Sequence, residues 1–174
     1  MVITLAGHVC YDIGDIWFNN EVVGLDPSTG EASGKYAGYV RIRKSLGTEA
    51  GQPFSELVSE SAGGWTDAHR QTGRTKIYVR LIFNKDLFPS GIPNITAIVS
   101  GRIVYDPRGT PSTHWTQNVA LCVSDYLTNT SFGFGATYAT EINEAALIAS
   151  ANICEQIVDM TSSGLTFSAD PATD

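Results

Sequence analysis

Four side chains that could support acid–base chemistry lie close together in sequence: Asp106, Arg108, His114 and Asp125. Two carboxylates such as Asp106 and Asp125 are the groups with which a glycosidase protonates its leaving group and activates its nucleophile. The intervening residues favour a different interpretation. The sequence DPRG at 106–109 is typical of a turn, because proline fixes φ and removes a donor while glycine permits chain reversal. We therefore predict an architectural joint here, not a catalytic turn.

The residues on either side of this turn predict a strand followed by a helix. Apolar and polar side chains alternate over 95–105, and many of them are β-branched, which is typical of a long strand. From residue 119 the apolar residues recur at helical spacing, and either Thr116 or Asn118 can cap that helix. Trp115 would cover the junction. The predicted apolar face of the helix carries Val119, Cys122, Val123, Tyr126 and Leu127.

The remaining patterns predict an α+β fold that is mostly antiparallel β, as a sandwich or a barrel-like sheet. Alternating segments at 39–46 and 76–84 indicate strands, and we expect the second to pair antiparallel with 94–105. Asn19-Asn20 indicates a hairpin, with Trp17 and Phe18 on opposite faces of its first strand.

Helical spacing predicts a short middle helix over 53–61 and a second C-terminal helix that starts at Thr140. We predict one domain over 1–160. The helical pattern is lost over 161–174, which reads as a frayed tail or a truncated linker.

Composition and motif content argue against several classes of function. The net charge of −7 disfavours binding to nucleic acid or to an anionic membrane, since either would need a basic patch. The chain carries no common catalytic or nucleotide-binding motif, and the spacing of its His and Cys residues fits no metal site. We expect no enzyme, no cofactor, no signal peptide and no membrane segment. Adjacent loop residues such as Trp65, Asp67, His69 and Arg70 do not by themselves indicate a site.

The order of motifs in the second half of the chain resembles a segment of phage tail-tip proteins. These motifs are GRIVYDPR at 101–108, WTQNVAL at 115–121, DYLT at 125–128, GFG at 133–135 and Cys154. The family is that of the tip attachment, or host-specificity, proteins of long-tailed phages of the lambda protein J type. Val119 stands where the family usually has proline. The resemblance covers about residues 66–158 and is weak over the first sixty.

The resemblance implies a structural, oligomeric virion component of a bacteriophage or prophage tail tip or hub. Such a protein is made in the bacterial host cytoplasm, assembles at the distal end of the tail, and supports host attachment and DNA delivery. Family members are longer, so this chain would be a domain or a split member, with a homotrimer expected for the full-length protein. Its partners would be the tail tube, tip and tape-measure proteins, and a host-surface receptor.

The aromatic and motif residues are the candidates for an interface or a family-specific role. They are Trp17, Trp65, Tyr105, Asp106, Pro107, Trp115, Asn118, Asp125 and Tyr126. One alternative is a carbohydrate- or receptor-binding β-module of a phage tail, in which an aromatic ring such as that of Trp65 stacks on a sugar. A second alternative is a cell-wall hydrolase.

Overall fold

The computed structural model describes residues 1–48, 52–156, 158–160 and 165–167. It confirms an α+β fold dominated by antiparallel β-structure. The chain divides into two compact units, Met1–Arg102 and Ile103–Asp174, which we call the N-terminal and C-terminal units. The sequence-based assignment of 1–160 to one domain stays a prediction. Of the predicted tail 161–174, all but 165–167 lies outside the described residues.

The N-terminal unit contains two three-stranded antiparallel sheets and one short α-helix. The first sheet has the order β1-β5-β4, and the second has the order β3-β2-β6. The elements are β1 (Val2–Ala6), β2 (Asp12–Phe18), β3 (Glu21–Val22), β4 (Val40–Ser45), α1 (Ser55–Glu60), β5 (Thr75–Leu81) and β6 (Ile95–Ser100). A single 3₁₀ turn, Gly34–Tyr36, precedes β4.

The two sheets enclose one apolar core. Ile13, Ile16 and Phe18 of β2 pack in the same cluster as residues of β4 and β5. Phe18 is fully buried, and its ring meets the ring of Tyr36 edge to face with centroids 5.4 Å apart. Trp17 points the other way and is half-buried, as period-two alternation predicts. The N-terminal unit is therefore a small β-sandwich.

The turn between β2 and β3 confirms the predicted hairpin. Asn19 and Asn20 both have positive φ, 49° and 68°, and Phe18 pairs directly with Glu21. Asparagine tolerates this left-handed region better than most residues, and two successive positive φ values match the twist of a tight hairpin. Local turn chemistry was sufficient to identify this element.

The predicted pairing of strand 76–84 with strand 94–105 is wrong. β5 lies between β1 and β4, whereas β6 pairs with β2 in the other sheet. Residues Thr75–Val79 of β5 are all buried, which fits the position of this strand at the centre of its sheet. The connection between β5 and β6 is long enough to carry the chain to the other sheet.

The predicted long strand 95–105 is also divided. β6 ends at Ser100, and β7 (Ile103–Asp106) belongs to the C-terminal unit. Gly101 and Arg102 lie between them, outside either strand. Glycine weakens a strand interior because it has no side chain to pack. The alternating pattern continues on both sides of Gly101, so the sequence did not indicate where the strand ends.

The C-terminal unit consists of a hairpin, three helices and a second short hairpin within its described residues. Its small core is formed by Val104, Leu121, Leu147 and Ala151. The elements are β7, β8 (Ser112–Trp115), α2 (Val119–Thr128), α3 (Tyr138–Glu141), α4 (Glu144–Cys154), β9 (Val158–Met160) and β10 (Leu165–Phe167). The helix predicted from Thr140 is split, because α3 ends at Glu141 and Asn143 caps α4.

The predicted apolar face of α2 is not the buried one. Val119, Val123 and Tyr126 are 65%, 51% and 48% exposed, while Leu121 and Ser124 are buried. Cys122 and Cys154 are likewise exposed, so neither thiol lies in the small core of this unit. Helical spacing identifies an apolar stripe, but it cannot decide which stripe the neighbouring helix covers. No helix within the described ranges is long and apolar enough to cross a membrane.

Candidate functional site

The turn that connects β7 and β8 is organised by the carboxylate of Asp106. Its Oδ1 accepts a hydrogen bond from the backbone N–H of Arg108 at 3.0 Å, and its Oδ2 accepts from Nη2 of the same residue at 2.8 Å. Pro107 is buried, and Gly109 has a φ of +59°, which a glycine adopts without strain. As the sequence predicts, DPRG ends the strand, and Asp106 holds the arginine in place.

Arg108 also binds a second carboxylate, that of Glu155, directly after α4. Its Nη1 lies 2.6 Å from Oε2, and its Nη2 lies 2.8 Å from Oε1. Such a two-pronged contact is stronger than a single ion pair, because the planar guanidinium matches both oxygens of the carboxylate. The arginine thereby fastens the β7–β8 turn to the C-terminal end of α4.

Asn118 connects the start of α2 to the same end of α4. Its Oδ1 accepts from the N–H of Leu121, which makes it the N-cap of α2. Its Nδ2 donates to the carbonyl of Ala151 and to Oε1 of Glu155, both at 2.8 Å. Thr116, the other candidate cap, instead accepts from the N–H of Asn118 at 3.1 Å. We call Asp106, Arg108, Asn118 and Glu155 the joint.

The electrostatics of the joint favour permanently charged groups. Hydrogen bonds from Arg108 lower the pKa of Asp106, and the same guanidinium, helped by Asn118, lowers the pKa of Glu155. The two carboxylates in turn raise the pKa of Arg108, with Glu155 as the larger cause. A general acid must hold a proton near neutral pH, so lowered carboxyl pKa values suit attachment better than proton transfer.

His114 lies beside the joint on β8. Its Nε2 is 3.7 Å from Oδ2 of Asp106, and its side chain is 44% exposed. Asp125 is half-buried near the end of α2, whereas Asp106 is nearly fully buried at the turn. The four side chains that first suggested acid–base chemistry thus divide, with Asp106 and Arg108 in the joint, His114 beside it and Asp125 on α2.

The other aromatic candidates of the C-terminal unit occupy separate positions. Tyr105 packs edge to face on Tyr138, whose pKa burial and the nearby Glu144 raise to about 12. Trp115 ends β8, pairs with Ile103 across the hairpin, and is half-buried. Its role as a cover for the junction stays a prediction.

Tyr126 is on the exposed side of α2, where its ring meets that of Phe134 at 5.7 Å. Phe134 belongs to the GFG loop, which closes the end of α2. A Cβ on Gly133 would lie 1.7 Å from the carbonyl oxygen of Tyr126, so only glycine fits there. The N–H groups of Gly133 and Gly135 both donate to the carbonyl of Asn129. This loop therefore terminates a helix, and it does not follow a strand as a nucleotide-binding loop does.

Trp17 and Trp65 belong to the N-terminal unit. Trp17 is on the outer face of β2 opposite Thr96 and Val22. Trp65 stacks on His69 with ring centroids 4.7 Å apart, inside a loop that is held by its own hydrogen bonds. Both indoles are half-buried.

Sequence reasoning missed a charged cluster that attaches α1 to the first sheet. Arg41 pairs with Glu60, and Arg43 donates to Glu56 at 2.6 Å. Glu60 also accepts from the hydroxyl of Tyr78 at 2.6 Å, beside an open cleft of about 590 Å³. Arg41 does not lie on a solvated strand face, because its side chain is only 14% exposed. The sequence did contain a signal for this cluster, since Glu56 and Glu60 lie one turn apart on the same face of the predicted helix.

Comparison with known proteins identifies no relative of this chain, so its function has to be inferred from its own residues. No model of a known protein family matches the chain, and no curated protein sequence matches it. Within the described residues, no group of three or more His, Cys, Asp or Glu side chains is arranged to hold a metal ion.

Asn118 provides a test of whether the joint ties elements together or only caps a helix. Asn118→Ala is expected to lower the free energy of unfolding of the C-terminal unit by about 2 kcal/mol, since it removes a cap and leaves buried partners unpaired. Asn118→Asp keeps an equally good cap but loses the amide donor and faces Glu155 with a second negative charge. We expect hydrogen exchange over 103–156 to show both variants as destabilised. If Asn118→Asp kept the hydrogen-exchange protection of the wild type, Asn118 would act only as the N-cap of α2 and would not tie α2 to α4.

Proposed function

We propose that this chain is a structural component of the tip or hub of a bacteriophage or prophage tail. The observation that carries the proposal is the joint. Three residues of the tail-tip motif take part in it, since Arg108 binds Asp106 and Asn118 binds Glu155. Arg108 and Glu155 in turn bind each other, which joins the two contacts into one network. The motif residues thus hold a hairpin and two helices together, which supports a structural role for the motif.

The chemistry of the joint supports attachment over turnover. Both carboxylates have lowered pKa values, and their hydrogen-bonding capacity is directed at Arg108 and Asn118. The outer side of α2 leaves Val119, Val123 and Tyr126 exposed, which is an apolar surface that another tail protein could cover. Aromatic residues are enriched at the centres of protein interfaces. Assembly with the tail tube, tip and tape-measure proteins, in a trimeric full-length protein, belongs to the same proposal.

The alternative, a glycan- or receptor-binding module, requires an open aromatic face on which a sugar can stack. Trp17, Trp65 and Trp115 are all half-buried, and one side of Trp65 is occupied by His69. These observations favour assembly as the primary role. A glycan array with the purified chain separates the two, because the binding module predicts saturable affinity that is lost in Trp65→Ala.

Deletion of the gene from the phage or prophage that encodes it tests the proposal genetically. We expect electron micrographs of the lysate to show filled heads without complete tails, and a plasmid copy of the wild-type gene to restore tailed particles. Normal tails and normal infectivity in the deletion strain would contradict a role in tail assembly. A deletion strain with complete tails that fail to adsorb would favour the receptor-binding alternative.

A further inference from the structure

The strand β6 forms an open edge of the second sheet of the N-terminal unit. The N–H of Asn19 donates to the carbonyl of Asn94 at 2.9 Å, so the backbone groups of Asn94 point towards β2. Because these groups alternate along a strand, the N–H and C=O groups of Ile95 and Ala97 point away from β2. Within the part of the chain that the structure describes, these outward groups have no hydrogen-bond partner.

The composition of β6 lacks the features that normally protect such an edge. Its sequence, ITAIVS, carries no charge and no proline, and most of its residues are β-branched. Natural proteins discourage edge-to-edge pairing with lysine, proline, bulges, short strands or a covering segment. An uncharged, fully extended edge is therefore a template for another strand.

The other three edges of the same unit carry such protection. The edge of β4 is covered, since the N–H of Ala32 donates to Val40 and the N–H of Ile42 donates to Gly30. The pairing of β1 with β5 is irregular at Thr4, where a bulge shifts the register. β3 is only two residues long, and its Glu21 is paired with a lysine. The pairing of β6 with β2 also shifts register, between Ile13 and Ile16, but there the extra residue lies on β2 and not on the edge strand. β6 is therefore the edge that carries none of these protections itself.

The side chains of β6 suit contact with a neighbour on both faces. Ile95 and Ala97 pack against the apolar core, while Thr96 and Ile98 point outward. Ile98 is 56% exposed. A strand added here would extend the core on one face and cover Ile98 on the other.

We propose that β6 pairs antiparallel with β6 of a second copy of this chain, about a two-fold axis at Ala97. In this register Ala97 is opposite Ala97 of the second copy, and Ile95 is opposite Val99, so the outward N–H and C=O groups satisfy each other. Thr96 is opposite Ile98 on the outer face. The strand is self-complementary, and no charge meets a like charge in spite of the net charge of −7.

We infer that the added strand comes from a second copy of this chain because β6 is complementary to itself. When two copies of β6 run antiparallel, every facing pair consists of uncharged side chains, and most of these are β-branched. This inference concerns the chain by itself and does not rest on the proposed function. Its failure would therefore leave the tail-tip proposal untouched.

Sedimentation velocity of the 174-residue chain over a range of concentrations tests the pairing. We expect a monomer–dimer equilibrium, and we expect Ala97→Pro and Ile98→Lys each to weaken association by about tenfold or more, with unchanged circular dichroism. Proline at 97 removes an outward N–H without removing a bond to β2, and lysine at 98 places a charge at an exposed position. Ile92→Lys, at a residue 69% exposed outside β6, is the matched control and should still dimerise.

A monomer at every concentration would overturn the proposal, and so would a trimer. A dimer that survives both β6 substitutions would also overturn it, because the interface would then lie elsewhere.

Discussion

Arg108→Ala is expected to lower the free energy of unfolding of the C-terminal unit by about 3 kcal/mol. The Asp106 side chain is only 9% exposed, so without the guanidinium it is a poorly solvated carboxylate with no countercharge from residue 108. Glu155 loses its two-pronged partner in the same step. Hydrogen exchange over 103–156 during a urea titration measures the loss separately from the N-terminal unit. The matched control is Arg80→Ala, because Arg80 is 40% exposed and lies 3.5 Å from Glu60. A surface pair of this kind should change stability by less than about 1 kcal/mol.

The joint should also determine how the C-terminal unit responds to acid. Asp106 and Glu155 have lowered pKa values in the folded protein, so between those values and the unfolded values of about 4 the unfolded chain binds more protons. The stabilisation is therefore complete above about pH 5 and is lost as the pH falls through the folded pKa values. Arg108→Ala should flatten this dependence. If the variant kept the wild-type slope below pH 5, the joint would not be the acid-sensitive element.

Phe18→Ala is expected to cost about 4 kcal/mol, because it opens a cavity between the two sheets of the N-terminal unit. The ring is fully buried and packs edge to face on Tyr36, which itself stacks on Phe88 at 6.2 Å. Loss of this ring removes contacts from both sheets at once. Urea unfolding followed by the fluorescence of Trp17, its neighbour in the chain, measures the change in a background where Trp65 and Trp115 are replaced by phenylalanine.

Phe83→Ala is the control for this substitution, since it removes the same side chain from a position 77% exposed. Its effect should stay within about 0.5 kcal/mol. Equal losses in the two variants would mean that the core of this unit does not lie between the sheets.

Local chemistry carried the successful predictions. The Asn19-Asn20 turn, the strand stop at DPRG and the cap at Asn118 each depend on residues within four positions of one another, and such signals are legible in a sequence. The α+β class followed from the periodicity of longer segments. The strands 39–46 and 76–84 were recognised for the same reason.

The predictions that failed concern contacts between distant residues. β5 takes both of its neighbours from other parts of the chain, and no local pattern indicates which ones. The buried face of α2 depends on where α4 packs, so two apolar stripes were indistinguishable in the sequence. The ion pair of Arg108 with Glu155, the centre of the joint, spans 47 positions. Of these two residues, only Arg108 belongs to a motif that the sequence analysis identified.

Immunogold labelling of purified virions tests the central claim most directly. With an antibody against this chain, we predict that gold particles lie at the distal end of the tail, opposite the head, in tailed particles made from the genome that encodes it. Label on the head, label distributed along the tail tube, or unlabelled virions with the chain only in the soluble fraction of the lysate would contradict a tail-tip component.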